Sequence, residues 1–111
     1  MKLPNSINSY IIKEKLSKYL LNFNHDVGKS KALYFSKFGF NIKNIDDFEK
    51  SLLQHSIDRE IFSTSEDTFG INYKLKCNIN NPDNRNPCII TIWIIEHNSN
   101  TPRFITAYPA G

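Results

Sequence analysis

Three histidines, a lysine in an unexpected place and a group of hydroxyls near the C-terminus are the residues of this chain that could do chemistry. His25 lies in the polar stretch NFNHDVG, just ahead of a segment with helical spacing whose free N–H groups could help hold an anion. Lys31 is about a turn and a half inside that helix. At 100° per residue, Phe35, Phe38 and Tyr34 fall within about 60° of it and Ala32 at about 100°, so the lysine sits in the middle of the buried stripe. The bland alternative is a lysine that buries its methylenes and carries its ammonium to the rim. His55 falls on the edge of the apolar face of the next helix, where a satisfied structural histidine is the commoner outcome. His25 beside Asp26 can be a loop hydrogen bond, and His97, between Glu96 and Asn98, reads as surface.

These residue types suit acid/base chemistry without a metal. His25, His55 and His97 lack ligand spacing such as His-x-x-x-His, and neither cysteine has a Cys-x-x-Cys partner. No Gly-rich phosphate loop and no Gly-x-Ser-x-Gly elbow is present. No cofactor is expected. Cys77 and Cys88 flank one hairpin loop; adjacent paired strands are a poor site for a disulfide, so both are read as reduced core residues.

The elements that must position these groups are legible in turn. Leu16, Tyr19, Leu20 and Phe23 repeat at helical spacing and predict a helix over 13–21. The second helix has Ser30 as a candidate cap and Gly39-Phe40 as a glycine stop with its hydrophobic contact. Asp46 to Glu49, DDFE, reads as a capping box opening a third helix that runs to about Asp58. After Arg59 the period becomes two: a short strand over 60–65, then Phe69, Ile71, Tyr73, Leu75 and Cys77 alternating with polar residues. The run Cys88–Glu96, CIITIWIIE, is apolar and β-branched on both faces, the pattern of a central strand buried on both sides. RFITAY, residues 103–108, is the last strand.

Helices first and strands second, with short links, predict an α+β domain: N-terminal helices packed on one face of a C-terminal antiparallel four-stranded meander. The other face is expected to carry Asn72, Lys74, Lys76, Thr91 and Trp93, and an exposed Trp among lysines could stack on nucleic acid bases. The alternative is a Trp covered by a loop. The 111 residues suit one domain, residues 1–111, with a real core and no linker to cut at. The net charge of +3 comes from the N-terminal half: residues 1–50 hold nine Lys/Arg against five Asp/Glu, and residues 51–111 hold five against six. That permits a polyanionic partner without demanding one. No signal-peptide h-region and no run of roughly 20 apolar residues is present. The expected location is cytoplasmic, or the cytoplasm of a target cell reached by another export route.

The opening LPN, the segment HDVGKSKALYFSKFGF and the ending WIIE...TPRFITAYP resemble a small uncharacterised bacterial family that reads His-Pro-x-Gly-Gly-x-Lys-Ala-x-Phe-Phe in the middle and Pro-Arg-x-x-Thr-Ala-Tyr-Pro at the end. His25, Gly28, Lys31, Ala32, Phe35, Trp93, Pro102, Arg103, Thr106, Tyr108 and Pro109 match. Asp26 and Lys29 depart, replacing a Pro and a Gly. In pattern the chain is also similar to metal-free ribonuclease toxins of the barnase, EndoU, colicin and RelE type. That resemblance implies RNA cleavage, tRNA being one candidate substrate, and a cognate immunity protein or antitoxin as partner. His25 would be base or acid, with His55 a second acid/base candidate. Lys31 and Arg103 would stabilise phosphate, Thr106 and Tyr108 orient substrate, and Lys74 and Trp93 bind it. A non-enzymatic binding module, such as an immunity or accessory protein, is the other reading, with Lys31 as a structural ion-pair partner.

Overall fold

The computed structural model describes residues 1–26 and 28–110, and its architecture is the expected α+β arrangement. Four strands, β1 (Glu60–Glu66), β2 (Gly70–Asn78), β3 (Cys88–Glu96) and β4 (Arg103–Pro109), form one antiparallel sheet in chain order. The helices α1 (Lys29–Lys37) and α2 (Ile45–Asp58) precede it. Leu75, Ile89, Trp93, Phe104 and Ala107 of the sheet share one core with Phe35 of α1 and Phe48 and Leu52 of α2. Aromatic edges and tilted faces fill it: Phe35 lies 4.9 Å and Phe40 4.5 Å from Phe48, centroid to centroid.

The stop after α1 follows the expected chemistry. Gly39 adopts φ +99°, its N–H bonds the Ser36 carbonyl, and the Phe40 N–H returns to the Phe35 carbonyl. Other local signals resolve differently. Ser30 lies inside α1 and Gly28 takes the cap position. The capping box is formed by Asn41 and Asn44 around a short 3-10 turn, Ile42–Asn44, leaving Asp46 and Asp47 as charges in the first turn of α2. The first helix is a π-helix over Leu16–Leu20, closed by the Leu21 N–H on the Leu16 carbonyl at 2.8 Å. Leu16 and Leu20 are buried, while Phe23 is 46% exposed beyond its end.

Strand register places Trp93 differently from expectation. Tyr73 pairs with Trp93 and Leu75 with Thr91, so Trp93 and Thr91 share the helix-covered face and Trp93 is 0% exposed. Its ring meets Phe104 edge-on at 5.2 Å. Lys74 and Lys76 stand opposite Ile92 and Ile90 on the other face. Phe69, expected to begin the inward alternation, precedes β2 and is exposed.

Two further features position the site. The N-terminal segment reaches both edges of the sheet, through a Lys2–Glu60 bridge to β1 and a parallel Tyr10–Arg103 bridge to β4. The β3–β4 ladder slips between Ile92 and Trp93: Thr106 faces Ile92 and Phe104 faces Trp93, so Ile105 is the extra residue of a bulge. Bulges re-aim side chains on an edge strand.

Candidate functional site

The π-helix, the loop ahead of α1 and the β4 bulge meet around a cavity of about 490 Å³ lined by Lys15, Tyr19, His25, Ile105 and Thr106. The contact between the first two elements depends on a missing side chain. Gly28 has ordinary helical dihedrals, yet a Cβ there would stand 2.3 Å from the Tyr19 carbonyl oxygen. Glycine lets the loop lie directly on the π-turn. The His25 Nδ1 accepts the Gly28 N–H at 2.9 Å and the His25 carbonyl accepts the Lys29 N–H at 2.9 Å, which seats the ring at the mouth of α1. Tyr19 meets that ring edge-on at 5.0 Å.

Behind Tyr19 stands Lys31. Its ammonium donates to the Tyr19 hydroxyl and, at 3.3 Å, to the Thr106 Oγ1, and it lies 4.8 Å from the Tyr19 ring centroid. The Tyr19 and Thr106 hydroxyls thus share one ammonium. The helical phase that put Lys31 in the stripe is satisfied by a half-buried polar triangle beside the buried Phe35 of its own helix. Burial of the Tyr19 phenol pushes its pKa upward. The hydrogen bonds from Lys31 and Thr106 and the charges of Lys31 and Lys15 outweigh that, and the phenol lies below its ordinary value.

His25, Lys31 and Thr106 therefore meet, while the remaining candidates lie elsewhere. His55 is 2% exposed in the core, its Nε2 at 2.9 Å from the Cys77 carbonyl and its Nδ1 at 3.0 Å from the Thr91 hydroxyl. The Trp93 indole N–H donates to the same Thr91 oxygen at 2.9 Å, completing a closed chain. Burial first, and Arg59 nearby, hold the His55 pKa down at about 4 against the opposing pull of the Cys77 carbonyl and Asp58. Tyr108 stands opposite Ile90, and Arg103, at the start of β4, is paired with Glu96 at 3.2 Å. Lys74 and Trp93 occupy opposite faces of the sheet.

Tyr19 and Lys15 escape a search by residue type, because Tyr19 reads as one more apolar position of an amphipathic stripe and Lys15 as a solvated charge beside it. The local signal for Tyr19 is structural: it sits on a π-turn, a geometry frequent at functional positions. Cys77 and Cys88 are free thiols, both half-buried, on adjacent positions of the β2–β3 ladder. Among the described residues no group of three or more His, Cys, Asp and Glu is placed to hold a metal ion, and no helix is long and apolar enough to cross a membrane.

A family model described as a domain of unknown function, DUF6883, matches residues 2–111. No curated protein matches the chain. Among solved structures, a chain of the contact-dependent growth inhibition toxin - immunity protein complex from Klebsiella pneumoniae 342 superposes with a TM-score of 0.73 at 16% identity, over 96% of this chain and 97% of that one. At that identity the likeness is one of fold.

Proposed function

The chain belongs to the DUF6883 family of domains of unknown function, and we propose that it is a metal-independent ribonuclease toxin domain neutralised by a cognate immunity protein or antitoxin. The observation that carries this reading is Lys31. Among the described residues its hydrogen-bond partners are two hydroxyls, with no carboxylate beside it, and both hydroxyl-bearing side chains line an open cavity that also presents His25 and Lys15. An ammonium held at such a cavity without a carboxylate is suited to the charge that develops on a phosphate.

Cleavage of RNA without a metal is attack of a ribose 2′-OH on the adjacent phosphorus. The O2′–P bond forms, the P–O5′ bond breaks, and a 2′,3′-cyclic phosphate remains. A base must take the 2′-OH proton, cations must meet the non-bridging oxygens, and the leaving O5′ must gain a proton. Lys31 and Lys15 supply the cations, Thr106 orients, and His25 is an acid/base group at the rim. Arg103, three residues before Thr106, meets a flanking phosphate by exchanging its partly exposed pair with Glu96, a contact of small energy. His55 and Trp93 serve the core instead. The fold likeness to a chain from a toxin - immunity complex supports the setting: action in a target-cell cytoplasm and an inhibitor whose acidic surface would cover Lys15 and Lys31.

The test is incubation of purified protein with tRNA, rRNA and mRNA in EDTA, with the product ends analysed. Cyclic phosphate termini are expected. Wild-type protein that cleaves none of the three leaves the non-enzymatic binding module as the surviving reading.

A further inference from the structure

We infer that the Tyr19 hydroxyl oxygen is the base of this site, taking the 2′-OH proton while Lys31 and Thr106 hold it; the inference rests on the ribonuclease reading of the same cavity. Three observations converge on that oxygen. Tyr19 is one of the residues that line the cavity, so a ribose bound there would lie beside it. The Tyr19 oxygen receives the Lys31 N–H, the same ammonium also holding Thr106, and a charged donor aimed at a phenol oxygen complements the lone pairs of the phenolate. The backbone beneath it is a π-turn clamped by Gly28, which holds the ring in place.

His25 is the less suitable base. Its Nδ1 already accepts the Gly28 N–H, so that nitrogen is not open to take the 2′-OH proton. The step then balances as follows. The Tyr19 phenolate takes the 2′-OH proton and becomes phenol, O2′ bonds phosphorus as the bond to O5′ breaks, and O5′ takes a proton from water. The hydroxide so formed removes the phenol proton, and the site is restored. The hydrogen bonds and positive charges around the phenol outweigh its burial and hold it below its ordinary value.

The experiment pairs steady-state RNA cleavage with an alkaline absorbance titration of tyrosinate, on wild type, Tyr19→Phe and Thr106→Val, with circular dichroism to confirm folding. Of the 5 tyrosines, one should ionise ahead of the rest, and Tyr19→Phe should remove that component. The same variant should lose roughly 100-fold or more in kcat with KM nearly unchanged, and lose the rise of kcat with pH seen in wild type. Thr106→Val, which keeps the Tyr19 oxygen and removes the hydroxyl that shares the Lys31 ammonium, should shift the early component upward and lose less. A folded Tyr19→Phe that cleaves at the wild-type rate overturns the assignment, as does a titration curve identical to wild type. Wild-type protein that cleaves no RNA overturns the base role together with the ribonuclease reading. Presence of the early component in that case shows that the reaction, and not the polar triangle, was misassigned.

Discussion

The Lys31 ammonium lies 3.3 Å from the Thr106 hydroxyl, joining the first turn of α1 to the bulged edge strand through one hydrogen bond across 75 residues of chain. Replacing Lys31 by Met separates support from chemistry. Methionine keeps the apolar stem beside Ala32 and Phe35, and the Tyr19 and Thr106 hydroxyls can still bond each other. The change in stability should stay within about 1 kcal/mol, the net worth of an ordinary hydrogen bond. RNA cleavage should fall by roughly 100-fold or more, the scale for losing one preorganised stabiliser. A thermal melt and a cleavage assay on the same preparation check both, and a folded variant that cleaves as fast as wild type removes Lys31 from the site.

The reason Lys31 was legible in the sequence, and Trp93 was not, lies in the geometry of the two elements. A helix turns 100° per residue whatever surrounds it, so the phase of Lys31 against Phe35 and Tyr34 is local information. A strand apolar on both faces gives no local clue to which face meets the helices. The side on which Trp93 falls is set by its pairing with Tyr73, across a hairpin loop whose length and bends decide parity. The order of helices and strands was legible because the period changes once, after Arg59. Tyr19 was hidden for a third reason: a π-turn differs from an α-turn by one hydrogen-bond register, and apolar spacing over five residues does not distinguish them.

His55 should make stability depend on pH. Its ring is saturated when neutral, Nε2–H donating to Cys77 and Nδ1 accepting from Thr91, and a second proton would displace the Thr91 hydrogen. The folded pKa is about 4 against an ordinary 6.5, so between those values the unfolded chain binds more protons than the folded one. Stability is then lost as pH falls from about 6.5 through about 4. The loss is on the order of 3 kcal/mol in total. Urea melts of wild type and His55→Gln across that range check it: the variant, with no group to protonate there, should show a shallower decline. Equal slopes in the two proteins would remove His55 as the cause.

The thiols should react unequally. Burial and the neighbouring Cys77 raise the Cys88 thiol above its ordinary value, so its thiolate is scarce at neutral pH. Trapping with an aromatic disulfide reagent should be slow for Cys88 and accelerate with pH, read by comparing Cys77→Ser with Cys88→Ser. If the cysteine left in the Cys77→Ser variant reacts as fast as a free thiol in solution, burial is not what holds the Cys88 thiol up.

Two glycines offer a matched comparison between damage to the fold and damage to the site. At Gly39, φ is +99° and an added Cβ would lie 2.9 Å from the Pro82 Cβ, so Gly39→Ala strains the end of α1, far along the helix from Tyr19. At Gly28 the dihedrals suit any residue, but the added Cβ would meet the Tyr19 carbonyl oxygen at 2.3 Å and its Cδ1 at 3.0 Å. Backbone stands on both sides of that contact, so the loop or the π-turn must shift by several tenths of an ångström. Both variants should lose about 1–3 kcal/mol, the range for strained backbone and overpacked contacts. They should part in function. Gly39→Ala should cleave RNA at close to the wild-type rate below its melting temperature and keep the early-ionising tyrosine. Gly28→Ala should lose both, because the displacement falls on the residue that carries the phenol. Equal activity in the two variants, at matched fractions folded, would mean that the seat of Gly28 on Tyr19 is a packing detail without a part in the chemistry.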